Sequence, residues 1–540
     1  MIGLLTRFMV RLLLSLIFYS TPVLGFWLAS SLAAYLGGPS WVAWTVGALM
    51  FPVIPGVLEF HAWTHRRPNS KAWLTPIDRL SLRTFAVGLT FLVVLLYFNP
   101  QTAFVALSTR GDWMLDDVHD RRADSARRVL FAAAGGLEWL YRATKSNPYK
   151  AHIDTEARQR SEEAEQELAK QQGLDSAARH EHKGVKQDGT KTIKETDQEV
   201  AEQDDTELSQ NVSKHANDDA LETTEKQDEE VVQKHKQNFV QLTNTEKKWP
   251  WKQAVLHHAV ITMPASVETS IKSVARYLAK QEKDPTLRIK ALHDYVADRI
   301  AYDSDAFYSG NIPDQDAQSV FRTRKSVCAG YANLLSALAA AINEKIVVVT
   351  GDARDPTNPG QLTDGRGHAW NAARIGGRWY LIDACWDAGN VSREKGFTKS
   401  YRTDYLLPPP EVMIADHFPE EKTWQLLAQP LSQGEFLRRP MLRPSFRSAD
   451  LILVSPQRAQ NEAKSKAVVI VKNPDNQWLM AGLEQNGKEI GDASMPTNSE
   501  TAQLERLLPD KGTYRLNMFV SKSHKYGQYD FVGSVDFVNR

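Results

Sequence analysis

The chain holds two cysteines, and one of them, Cys328, stands at the mouth of an apolar run, RKSVCAGYANLLSALAAA (324–341). Tyr331, Leu334, Leu335, Leu338 and Ile342 fall on one stripe of a helix, and Ser326 is placed to cap it. Cys328 then sits in or just before the first turn. There, free backbone N–H groups and the positive end of the helix dipole favour a thiolate over a thiol. The thiolate is the nucleophilic form, and the same N–H groups can stabilise an oxyanion during acyl transfer. Gly330, without a side chain, would leave room for a substrate backbone. The rival account is a buried structural cysteine, the better explanation of any single cysteine on an apolar helix face.

A base for such a thiol is encoded in GHAWNAARIGGRWYLIDACWD (367–387). Two strand-like runs flank Gly376-Gly377, a pair suited to a two-residue turn with positive φ. If the turn closes that way, Ile375 faces Arg378, Trp370 faces Asp383 and His368 faces Cys385. Side chains alternate along a strand, so His368, Trp370, Asp383 and Cys385 are expected on one face of the hairpin. His368 and Asp383 become diagonal neighbours, close enough for carboxylate and imidazole to meet. A His–Asp pair beside a thiol is the arrangement of a general base held in one tautomer. Trp370 and Trp386 are candidates to line a substrate groove, although core packing accounts for them equally well. Asn371 is expected on the opposite face and is given no catalytic part.

The segments SVCAGYANLLSAL, GHAWNAARIGGRWYLIDACW and the upstream IAYD (300–303) resemble the transglutaminase-like superfamily. The stretch DYLLPPPEVMIADHFPEEKTWQLL (404–427) is similar to the branch containing kyphoscoliosis peptidase and the fungal cytokinesis proteins. The resemblance covers roughly residues 255–445. It implies an α+β, papain-like transglutaminase core with Cys328 as nucleophile, His368 as base and Asp383 as orienting acid. It departs from the family at Ser326, where Gly is usual, and at Cys385, where Thr is usual. Cys385 is expected to be a small residue filling the strand; the sharper hypothesis is a redox switch in which it captures an oxidised Cys328.

These residues need elements to carry them, and the 540-residue length allows several domains. Basic and acidic residues balance at 65 each, so nothing points to nucleic acid. No charged side chain occurs from Leu12 to Leu58, and another uncharged run spans 84–109. Three membrane spans are expected, at 12–36, 41–58 and 84–107, since a signal peptide needs only ~7–15 apolar residues. Arg7, Arg11 and the basic residues of 66–83 place the N-terminus in the cytoplasm and everything after the third span outside. Residues 129–145 are expected on the membrane surface or packed as an amphipathic helix. From 150 to 248 the composition turns polar and charged, read as a tether that is partly a solvated helix. The core is expected over 250–445. Residues 446–540 read as an immunoglobulin-like β domain, with Asn486-Gly487 as a hairpin turn and Tyr514 as a tyrosine corner.

The expected function is a membrane-embedded thiol enzyme acting on protein or peptide amides through an acyl-enzyme. Hydrolysis is favoured over transfer to an amine. The rivals are a non-catalytic tethered scaffold and, more remotely, a transport module. No metal or other cofactor is called for: His257-His258 and the HEH of 180–182 lack ligand spacing and are read as surface residues, and no acidic Ca²⁺ loop is evident.

Overall fold

A computed structural model describes residues 2–38, 40–65, 74–116, 118, 121–184, 248–252, 254–354 and 367–539. It opens with α1 (Ile2–Tyr35), α2 (Ser40–Ala48), α3 (Ile54–Thr64) and α4 (Pro76–Phe98). Among the described residues two helical stretches, Ser15–Tyr35 and Pro76–Phe98, are long and apolar enough to cross a membrane, rather than the three expected. The run at 41–58 is divided because Pro52 and Pro55 lack an N–H for the helical ladder, and a π turn at Leu49–Val53 separates α2 from α3. The run at 84–107 is cut at Asn99-Pro100. Its first part belongs to α4, which begins earlier, at a capping box of Thr75 and Asp78.

Beyond Pro100 the chain packs back on α1: Ala103 and Leu107 share a cluster with Trp27 and Leu28, and Trp27 Nε1 donates to Gly111 O at 2.6 Å. Helix α5 (Pro100–Arg110) has Ala103, Phe104, Ala106 and Leu107 buried. Helix α6 (Arg121–Gly135) follows, and Phe104 of α5 and Tyr141 of α7 (Glu138–Thr144) share a cluster with Ile414, Phe418 and Phe436. The amphipathic segment before residue 145 therefore packs against the following domain. So does the start of the expected tether: Ala157, Ala164 and Leu168 of α8 (Thr155–Gly184) are buried, and Ser161 Oγ accepts a hydrogen bond from Val348 N–H at 3.0 Å. These small apolar residues recur every seven and four positions among charged ones, a stripe narrow enough to be masked by composition. The remainder of the tether, 185–247, lies outside the described residues.

The central domain is built around one buried helix, α11 (Cys328–Ala340), flanked by α9 (Ile271–Gln281) and α10 (Pro285–Arg299). It packs on an antiparallel sheet of β1 (Ile346–Ala353), β2 (His368–Ile375), β3 (Arg378–Ile382) and β4 (His417–Pro419), in the order β3-β2-β1-β4. Ala369 and Ala373 face the helix cluster, while Trp370 and Ala372 face a second cluster with Leu168, Val347 and Val349. Gly376 and Gly377 take positive φ, 56° and 81°, and Ile375 pairs with Arg378 as expected. The pairing stops at Asn371 with Ile382. Asp383 is the N-cap of a short helix, α12 (Ala384–Ala388), so Cys385 lies in a helical turn and does not face His368 across the hairpin.

The last domain is sheet-rich. Strands β5 (Ile452–Ser455), β7 (Lys466–Lys472) and β9 (Thr501–Leu507) form one sheet. The other holds β6 (Gln460–Ala463), β8 (Trp478–Gln485), β10 (Gly512–Ser521) and β11 (Asp530–Asn539). Both sheets contribute to one core. Asn486 and Gly487 turn with positive φ, and Tyr514 donates its hydroxyl to Asp510 O at 3.0 Å, closing a tyrosine corner.

Candidate active site

Cys328 is the first residue of α11, and Val327, not Ser326, is the N-cap. Ser326 Oγ turns the other way and donates to Gln315 Oε1 at 2.8 Å. The same oxygen takes Val327 N–H at 3.0 Å, and Gly330 N–H bonds back to Val327 O at 3.1 Å. Among the described residues, the first-turn N–H groups of Cys328 and Ala329 find no acceptor. Gly330 does not line a groove. A Cβ there would lie 2.0 Å from Ser326 Oγ and 2.6 Å from Val320, so its missing side chain serves close packing inside the domain.

His368, the first residue of β2, donates from Nε2 to Asp383 Oδ2 at 2.7 Å. Its other ring nitrogen is left for the Cys328 thiol, which lies near enough to raise the ring's proton affinity. Exposure of the three residues is 1 % for Cys328, 5 % for His368 and 1 % for Asp383. Burial disfavours a charged ring. The Asp383 carboxylate, its hydrogen bond and the Cys328 contact outweigh that and hold His368 up at about 9. For Asp383 burial again opposes charge, but His368 and then His417 hold it well below the ordinary carboxylate range. The three expected site residues are thus together, at the point where the first turn of α11 meets the ends of β2 and β3.

Trp370 is buried and stacks on His368 with 5.8 Å between ring centres, fixing the imidazole rather than lining an open groove. Trp386, in α12, is half-buried and tilts against the same ring at 5.3 Å. Asn371 bonds Ala332 O at 3.0 Å and Val347 O at 3.2 Å, tying β2 to α11 and β1. Cys385 is a buried free thiol. Burial, then the nearby Asp383 and Cys328, push it well above the ordinary thiol range. Tyr302 of IAYD lies beside both sulfurs and Tyr149; burial, then those neighbours, push its phenol well up. His257 is buried, not a surface residue, and meets Glu282 at 3.1 Å.

Sequence reasoning gave no part to His417. Its Nε2 donates to Asp383 Oδ2 at 3.0 Å, the oxygen that His368 also uses, and its Nδ1 donates to Asp416 Oδ1 at 2.6 Å. Tyr405 donates its hydroxyl to Asp416 Oδ2 at 2.5 Å. Burial opposes charge on His417, but Asp416 and Asp383 hold it up at about 9. Ligand atoms of His368, Asp383 and His417 lie within 4.8 Å of one another, a spacing that could hold a metal ion. The N···O separations of 2.7 and 3.0 Å are hydrogen-bond lengths. Donors around a tetrahedral zinc at its usual bond lengths stand about 3.3 Å apart. The three residues fit a proton-bearing network better than a metal centre. The only sequence signal for this ring was the HFP of the stretch shared with the kyphoscoliosis-peptidase branch.

Residues 272–384 match the family model of the transglutaminase-like superfamily. They form a transglutaminase-like domain. Two relatives are kyphoscoliosis peptidases: the mouse (Mus musculus) protein is 29% identical over 259 residues, covering 47% of this chain and 39% of its own. The human (Homo sapiens) protein is 30% identical over 253 residues, covering 46% of this chain and 37% of its own. The chain spans less than two fifths of the length of each. A solved TGase structure overlaps 31% of this chain and 40% of its own, at 21% identity and a TM-score of 0.18. The matched residues hold Cys328, His368 and Asp383 and end at 384, before His417, which the same domain supplies from β4.

Proposed function

We propose that the protein is a membrane-anchored thiol enzyme that acts on peptide or side-chain amides, with Cys328 as nucleophile, His368 as acid and base and Asp383 as the group that orients His368. The observation that carries this reading is the imidazole of His368, held by Asp383 at 2.7 Å on one nitrogen and lying beside the Cys328 thiol. Such a ring takes the thiol proton, leaving an imidazolium–thiolate pair. Sulfur attacks the amide carbonyl, the N–H groups of Cys328 and Ala329 receive the oxyanion, and His368 returns the proton to the departing amine. An acyl-enzyme remains on Cys328. Water then releases it, the outcome favoured by the peptidase relatives.

A peptide-linked thiol electrophile tests this. Stoichiometric labelling of Cys328, lost in His368→Ala, is the expected result. Equal labelling of the two proteins would leave a membrane-tethered scaffold that uses the fold without chemistry.

A further inference from the structure

His417 is a histidine with a carboxylate at each nitrogen. Asp416 stands 2.6 Å from Nδ1 and Asp383 stands 3.0 Å from Nε2. A carboxylate only accepts, so both nitrogens must carry protons and the ring is an imidazolium. It cannot turn aside. Ring centres of Trp386, Trp370, Tyr405 and His368 surround it at 4.4, 5.1, 5.1 and 5.2 Å. Asp416 is itself held, its second oxygen taking the Tyr405 hydroxyl. Asp383 has no freedom either: Oδ1 takes the N–H groups of Cys385 and Trp386 at 2.8 and 3.1 Å, and Oδ2 takes both histidines.

We propose that His417 is a positioning residue for the Cys328 chemistry, a buried cation locked by Asp416 that takes up part of the Asp383 charge and so limits how tightly His368 holds its proton. The inference rests on the reading of Cys328 as nucleophile. A general acid must both take and surrender a proton near the working pH. An aspartate devoted to His368 alone would fix the imidazolium too firmly for it to protonate a departing amine. A second cation on the same oxygen weakens that hold without moving Asp383. The other charges facing this cluster are Arg354 of β1 and Arg443 beside Asp416, with Asp404 and Asp387 around Tyr405 and Arg443.

Asp416→Asn separates the charge from the hydrogen bond. The amide keeps the shape and the Tyr405 contact, and a neutral His417 still donates to Asp383. The full-length protein in detergent is treated with iodoacetamide across pH 4–10, and alkylation of the Cys328 peptide is followed by mass spectrometry. The wild type should show a plateau between an acid and an alkaline limb, abolished in His368→Ala. In Asp416→Asn the plateau should widen, its limbs moving apart by about one pH unit in total; His417→Asn should widen it too. A plateau of unchanged width, or a narrower one, in folded Asp416→Asn would overturn the proposal while leaving the triad intact, because a merely structural role cannot strengthen the ion pair. Should either variant fail to melt cooperatively, Tyr405→Phe, which loosens Asp416 by one hydroxyl, decides by the same criterion. Identical wild-type and His368→Ala profiles would sink the nucleophile reading itself.

Discussion

Two buried imidazoles on one carboxylate oxygen make stability depend on pH in a stated direction. His368 and His417 are held near 9 in the folded protein, against about 6.5 in an unfolded chain. Between those values the folded state binds more protons, so stability falls as pH rises. The contribution is fully present below about 6.5 and disappears as pH passes 9, each ring losing on the order of 1.4 kcal/mol for every pH unit crossed in that window. Asp383 is held in the opposite sense, so its contribution survives until pH drops below the ordinary carboxylate range. Thermal melts of the intact protein should therefore hold steady from pH 6 to 6.5 and decline from there to pH 9, less steeply in Asp416→Asn. A midpoint that stays constant through pH 9 would mean the rings are uncharged. The His368–Asp383 half of this network could be read from sequence because Gly376-Gly377 fixes the register that brings them together. The His417 half could not, since it reaches Asp383 across 34 residues and a proline-rich connection with no period to link them.

At the scale of elements, the start of α11 corrected two expectations with one cause. Ser326 was a good N-cap by residue type, and Gly330 a good opening for substrate, but Gln315 claims Ser326, which in turn fills the space beside Gly330. The Gln315 side chain arrives from a loop and takes the Ser326 hydroxyl and the Val327 N–H, and Gly330 is bare so that Ser326 and Val320 can close over it. Local propensity describes what a residue can do for its own helix; here a tertiary partner competed and won. Gly330→Ala should thus act on packing rather than on substrate binding. Overpacking of this kind costs roughly 1–3 kcal/mol, measured as a lower denaturant midpoint. A variant with normal stability and weakened peptide binding would restore the groove reading. The hairpin's outer end went the same way: pattern alone extended β3 through Asp383 to Cys385, whereas Asp383 caps α12 and aims its other oxygen at two histidines.

Across the whole molecule, composition concealed how far the central domain reaches toward the N-terminus. Asn147 donates to Gly351 O at 3.1 Å and to His368 O at 2.9 Å, so a residue from the supposed tether boundary grips β1 and β2. Asn333 of α11 donates to His152 O at 2.8 Å. Farther back, Arg458 of the C-terminal domain bonds Asp112 at 2.7 Å, and Arg438 bonds Ser108 O at 2.7 Å. Charged sequence around α8 hides these anchors because a handful of small or polar side chains, not an apolar run, makes the contacts. A fragment beginning at residue 250, the boundary composition suggests, loses all of them. Each buried carbonyl or N–H left without its partner costs about 1–3 kcal/mol, and a domain has about 5–15 kcal/mol in total. A fragment from Asn99 onward, which keeps α5 to α8 and drops the two long apolar helices, should melt cooperatively, while the 250–540 fragment should aggregate or melt at a much lower temperature. Equal melting of the two fragments would show that residues 99–184 only lie against the domain and do not hold it together.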